Sequence, residues 1–149
     1  MTLDELVAVA GGYVGEPKAF SPGGASSGFL PARERNRPLD YHSLAEVGTT
    51  LGSAGVVVLD ETVDLRRAAL TQLEFFRAES CGECAPCRLG TRFLAEAMTR
   101  LLDGGGKKAL DPLEEIAWEM REGSICGLGQ TAFLPLTSAL RWFPEEFSR

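Results

Sequence analysis

The chain has 149 residues, 44% of them hydrophobic and 24% charged, with a formal net charge of −6 and an isoelectric point of about 4.9. That length allows one ordinary domain or two small ones, and the acidic balance argues against nucleic acid, whose phosphates call for clustered Lys and Arg. No apolar run approaches the ~20 residues of a membrane helix, and no basic start followed by an apolar segment marks a secretory signal. The expected setting is therefore cytoplasmic, where thiols stay reduced.

In chain order, Thr2 and Glu5 form a capping box for a helix over about Leu3 to Ala10. Lys18 to Ser21 and Val56 to Asp60 are the strand candidates, the second reading as buried. Two strands with one helix are marginal alone, so this first part reads as incomplete. Pro31 to Pro38 is a polar, Arg-containing loop, and His42, the lone histidine, reads as a loop residue. From Asp64 the apolar period changes. Leu65, Ala69, Leu73 and Phe76 line one face of a first long helix. A second is expected from about Thr91 to Leu102, with Phe93, Leu94, Ala97, Leu101 and Leu102 inward, and Asp103-Gly104-Gly105-Gly106 stops it. Asp111-Pro112-Leu113-Glu114 signals a third helix, with a side-chain cap and Pro at the first position. It carries Leu113, Ile116, Ala117 and Met120 inward and ends at Gly123. A fourth runs from about Leu134 to Phe143, with Pro135 tolerable in the first turn. Glu145 and Glu146 read as a solvated tail, and Trp118 and Trp142 as core or interface aromatics. The expected fold is α+β: a small partial domain over 1–61, then a four-helix bundle over 62–149.

The four cysteines carry the chemistry. Cys81, Cys84 and Cys87 recur at two-residue gaps in Glu79-Ser80-Cys81-Gly82-Glu83-Cys84-Ala85-Pro86-Cys87-Arg88, so one loop can aim three sulfurs at a single centre. In an up-down-up-down bundle the loop between helices one and two and the loop between helices three and four lie at the same end. Helices two and three, each roughly 18 Å long at 1.5 Å per residue, carry the chain out and back by the same distance. Cys126 is thus expected beside the triplet.

Four thiolates suit tetrahedral zinc or an iron–sulfur cluster. Zinc sites usually pair two CxxC knuckles, whereas here the ligands divide three and one, which suits a [4Fe-4S] cubane with one sulfur per corner. The bacterial ferredoxin run, with a further Cys three residues on and then Pro, is absent. Ser80, Gly82 and Gly127 permit close backbone approach, Cys87 is expected just ahead of a helix start whose partial positive charge favours an anionic centre, and Arg88 adds a full charge. Glu79 and Glu83 flank the ligands without a substrate pocket and read as solvated. Nothing in the chain suggests a nucleophilic triad.

The stretches 79–91 and Gly123-Ser124-Ile125-Cys126-Gly127-Leu128-Gly129-Gln130-Thr131-Ala132 resemble the cluster-binding signature of a known family, the NADH-binding flavoprotein subunits of respiratory complex I, NAD-reducing hydrogenases and NAD-dependent formate dehydrogenases. Residues 48–61 resemble the segment preceding that signature, and residues 20–31 resemble the soluble-ligand-binding β-grasp domain found there. The resemblance implies that Cys81, Cys84, Cys87 and Cys126 bind a [4Fe-4S] cluster that takes electrons from a flavin and passes them on. In that family a large domain ahead of the β-grasp part binds FMN and NADH through a glycine-rich loop. No such loop stands in this sequence, because Gly11-Gly12, Gly23-Gly24 and Gly104-Gly105-Gly106 lack the G-x-G-x-x-G pattern after a strand. FMN and NAD(H) are therefore expected on a partner chain, alongside a ferredoxin-like iron–sulfur subunit and a catalytic hydrogenase, formate dehydrogenase or similar subunit. The expected role is an electron relay. The other reading is a non-redox assembly module stapled by a zinc ion on the four cysteines.

Overall fold

The computed structural model describes residues 1–148 and is an α+β protein of two compact units, Met1–Val63 and a second beginning at Asp64. In the first, α1 (Leu3–Val9) starts at the reciprocal cap. Thr2 Oγ1 accepts the Glu5 N–H at 3.2 Å, and the Glu5 carboxylate accepts the Thr2 N–H at 2.8 Å. Its buried face is Leu3 and Val7. The sheet has three antiparallel strands in the order β2-β1-β3, with β1 (Pro17–Ala25) central between β2 (Leu30–Pro31) and β3 (Val57–Asp60). The sequence supplies only two strand candidates, because β2 is two residues long and too short to carry a period. It is held by pairing of Phe20 with Leu30 and by the Ser21 hydroxyl, which donates to the Gly28 carbonyl at 2.6 Å.

The valine run of β3 reads as a buried strand but is not one. Val57 and Val58 are 47% and 37% exposed, since β3 lies at the edge of the sheet and only β1 pairs with it. His42 sits on a short helix, α2 (Tyr41–Ala45), rather than in a loop, with Asp40 capping the Ser43 N–H at 2.8 Å. Within the polar 31–38 segment, Arg37 bridges Glu34 at 2.8 Å and Glu46 at 3.1 Å. The Tyr13 phenol donates to Asp4 at 2.7 Å. Burial first, and then that carboxylate, push its pKa up to about 12.

The second unit is helical: α3 (Leu65–Glu79), α4 (Ala85–Arg100), α5 (Leu113–Gly123), the short α6 (Gly127–Thr131) and α7 (Leu134–Trp142). The helix α3 packs on α4 and α7, α4 also packs on α5, and α6 lies against α5 and α4. Leu65, Leu73, Leu94, Met98, Met120 and Leu136 are fully buried, each Leu or Met of this kind stabilising by roughly 1.5–3 kcal/mol. No described helix is long and apolar enough to cross a membrane.

Several boundaries differ from the sequence reading, each for a local reason. The helix α4 begins at Ala85 rather than Thr91, so Cys87 lies inside its first turn. Pro86 is compatible with a first turn, where its missing N–H has no partner to lose, and Gly90 lies in the helix interior where α4 meets α5, since a Cβ there would collide with Met120. Asp111 is not the cap of α5, because a 3₁₀ turn over Lys107–Leu110 precedes it and Pro112 takes the capping position. Leu101 and Leu102 are only half-buried in a wide turn over Leu101–Gly105, within which the φ of 87° at Gly104 needs glycine. Trp118 is a surface residue at 60% exposure. Glu146 is not a solvated tail residue, because its carboxylate accepts the Leu65 N–H at 2.9 Å, at the start of α3.

That start of α3 is also capped by Asp64, which accepts the Arg66 N–H at 2.9 Å and pairs with its guanidinium at 2.8 Å. The Arg66 hydrogen bond holds the Asp64 carboxyl below its usual range. Asp64→Ala should lower stability by about 1 kcal/mol near neutral pH, read as a drop in thermal midpoint. A carboxyl whose folded pKa is depressed contributes above its unfolded value of about 3.9 and loses that contribution as pH falls through the folded value. The gap between variant and parent should therefore close in strong acid.

Candidate metal centre

The loop from α3 to α4 is short and internally tied. Ser80 ends α3 with its N–H on the Phe76 carbonyl at 3.1 Å, and its hydroxyl lies 3.3 Å from the Cys87 sulfur. Gly82, at φ 80°, turns the chain in the left-handed region, and its N–H reaches Ser80 Oγ at 3.4 Å. The Arg88 guanidinium donates to the Gly82 carbonyl and, at 3.4 Å, to that of Glu83. Arg88 thus ties the loop onto the first turn of α4, a role in addition to its charge. Cys84 is the residue immediately before α4, and Cys87 is two residues after Ala85, where amide N–H groups are not used within the helix.

The second strand of the site comes from the segment after α5. Ser124 ends α5, and Cys126 is the residue immediately before α6. Gln130 Nε2 donates to the Ser124 carbonyl at 3.0 Å, fixing the loop. At Gly129 a Cβ would collide with the Ser124 side chain and with the Cβ of Cys87. Only glycine lets α6 lie this close to the start of α4. Gly127 meets open space.

These contacts bring the solitary cysteine loop against the triplet. The Cys84 thiol is held below its usual range first by the Ile125 N–H, then by the Cys87 N–H, with the Ser124 hydroxyl adding to both. Cys87 is pushed up, first by burial; the Ser80 hydroxyl opposes this, and charge on Cys84, Cys126 and Cys81 adds to it. Three other sulfurs therefore lie within electrostatic reach of Cys87. The four differ in depth: Cys87 is buried, Cys84 half-buried, and Cys81 and Cys126 exposed. Among the described residues no three Cys, His, Asp or Glu side chains converge closely enough to hold one metal ion.

Two features of this end fit a bound sulfur-rich anion. The Ser124 hydroxyl is buried with no hydrogen-bond partner, and it faces the side of Cys84, whose thiol it helps to hold below the usual range. Amides of the α4 first turn and of Ile125 supply donors where thiolate charge would accumulate. Sequence reasoning names Ser80, Gly82, Arg88 and Gly127 around the four cysteines; Ser80 and Gly82 stand in the loop between α3 and α4, Arg88 in the first turns of α4, and Gly127 at the first position of α6. It misses Ser124, the Ile125 amide, Gln130 and Gly129. The available signal is the spacing of small residues around Cys126, with Ser two before it and Gly three after.

Comparison with known proteins bears on the same region. A family model describing the NADH-ubiquinone oxidoreductase-F iron–sulfur binding region matches residues 67–149. The chain is 37% identical to the F subunit of the NADH-quinone oxidoreductase of Rickettsia akari, over 98% of this chain and 36% of that one. It is 36% identical to the HndC subunit of the NADP-reducing hydrogenase of Solidesulfovibrio fructosivorans, over 99% of this chain and 31% of that one. Among solved structures, an NAD+-reducing [NiFe]-hydrogenase in the H2-reduced state superposes with a TM-score of 0.87 at 27% identity, covering 99% of this chain and 25% of that one. The chain spans about a third of the length of the curated relatives it matches.

Proposed function

Because the chain belongs to the NADH-ubiquinone oxidoreductase-F iron–sulfur-binding family, we propose that it is an electron-relay component holding one [4Fe-4S] cluster on Cys81, Cys84, Cys87 and Cys126. The observation that carries this reading is the meeting of the two cysteine loops: the Ile125 amide and Ser124 hydroxyl act on Cys84, and Gly129 lies against Cys87. A single zinc ion at about 2.3 Å from each sulfur would need the four drawn tightly together. The three-and-one division of the cysteines instead suits a cubane, with one sulfur to each iron corner.

Such a cluster, when bound, supplies one-electron storage at an inorganic core whose potential follows charge, hydrogen bonding and exposure. The chain's own residues set those variables. Cys87 holds the buried side with the Ser80 hydroxyl on its sulfur. Cys84 takes the Ile125 and Cys87 amides, which spread thiolate charge and favour the reduced, more negative state. Cys81 and Cys126 form the exposed rim, the side on which a redox partner can come near. Arg88 keeps the 80–84 loop folded on α4.

The flavin and NAD(H) sites belong outside residues 1–149, on an FMN- and NAD(H)-binding subunit, and a ferredoxin-like iron–sulfur subunit stands on the other side of the relay. The terminal catalytic subunit is of the hydrogenase, formate dehydrogenase or complex I class, in a cytoplasmic setting. Anaerobic reconstitution tests the reading. The chain should turn brown, bind about four iron and four sulfide per chain, and bleach with dithionite. A colourless chain holding one zinc per polypeptide would replace the relay with a structural staple.

A further inference from the structure

Between α4 and α5 runs an open groove of about 340 Å³, lined by Pro86, Leu89, Phe93, Ile116, Glu119 and Met120. Its floor is apolar, and Leu89 stands 61% exposed on its edge. From Pro86 to Phe93 it extends about two helical turns, roughly 10 Å. One bank is acidic. Glu115, Glu119 and Glu122 fall on the same face of α5 at offsets of 0, 4 and 7, are exposed, and no ion pair to them is formed among the described residues. The groove begins at Ala85 and Pro86, between the ligand candidates Cys84 and Cys87.

We propose that this groove is the seat of a partner protein that presents a two-turn apolar helix segment flanked by Lys or Arg. The apolar floor takes the helix ridge as in helix-in-groove recognition. The three carboxylates select for basic flanks and orient them. A second copy of this chain is a poor occupant, because a two-fold contact sets a patch against itself and would bring identical carboxylates together. The inference extends the relay reading by naming the partner's chemistry, and it places that partner against the start of α4, where Cys84 and Cys87 stand.

The test uses the full chain, reconstituted with iron and sulfide, and a fluorescein-labelled Leu/Lys amphipathic helix of about 14 residues followed by anisotropy in about 0.1 M salt. The Leu/Lys peptide should bind, and the same peptide with Glu at every Lys should not. Leu89→Asp, and separately the pair Glu115→Lys with Glu119→Lys, should each weaken binding about tenfold. The pair Glu74→Lys with Glu145→Lys makes the same change in net charge away from the groove and should leave affinity within about twofold. Equal weakening by both pairs would reduce the effect to net charge and overturn the groove, as would indifference to Leu89→Asp. A chain that sediments as a dimer released by Glu115→Lys with Glu119→Lys would give the groove to a second copy and overturn the proposal. Iron content in the same sample separates the two readings. A brown chain that ignores the peptide overturns the docking alone, and a colourless chain that binds it overturns the relay alone.

Discussion

A chain carrying Cys126→Ala should lose nearly all of its iron and sulfide on reconstitution while keeping its helical content. Cys126 is exposed, so truncating its side chain opens no cavity, and the residue immediately before α6 still accepts the Gln130 N–H through its backbone carbonyl at 3.2 Å. The far-ultraviolet circular dichroism and the thermal midpoint of the iron-free chain should therefore match the parent. The iron should not. Even the outer hydrogen-bond partner of a metal ligand is worth about 10–100-fold in affinity, and removing a ligand costs more. The measurement is iron and acid-labile sulfide per chain, with visible absorption. Full iron retention by Cys126→Ala would remove this residue from the ligand set and, with it, the reason for the two loops to meet.

The second large effect is expected where no sulfur is touched. Gly129→Val puts a branched side chain where a single Cβ already collides with Ser124 and with Cys87, neither of which is the yielding tip of a long side chain. Overpacking of this kind costs about 1–3 kcal/mol. It should also push α6 off the first turn of α4, moving Cys126 away from the other three thiols. The expected result is a lowered thermal midpoint in the iron-free chain together with poor iron uptake, with all four thiols still titratable in denaturant. Gly127→Ala, whose Cβ would meet no protein atom, is the companion that should leave the thermal midpoint of the iron-free chain unchanged. If Gly129→Val takes up iron normally, the close approach of α6 is incidental to the site.

The long helices were readable because their apolar stripes are regular. Leu65, Ala69, Leu73 and Phe76 are all buried, and Leu113, Ala117 and Met120 follow suit on α5. The Thr2–Glu5 cap was readable because both halves are side chains at fixed spacing. What escaped lies where tertiary packing overrides local preference. Gly90 argues against a helix in isolation, yet α4 runs through it because α5 needs that space. Residues 127–131 carry two glycines and give no helical signal, yet α6 forms under the constraint of contact with α4 and α5. The valines of β3 signal a strand but not which of its faces meets solvent. Around the cysteines, ligand candidates are visible from composition alone. The amide of Ile125 is not, because a backbone donor leaves no mark in the residue code.

The sulfurs come from two stretches of chain, with positions 88 to 125 between the triplet and Cys126. A group that binds all four closes that long span and penalises the open chain, so loading with inorganic cofactor and protein stability are linked. In a cell short of iron, such a polypeptide would not simply wait idle. Its unloaded form would open more often and meet proteases more often, and its abundance would track metal supply without any change in transcription.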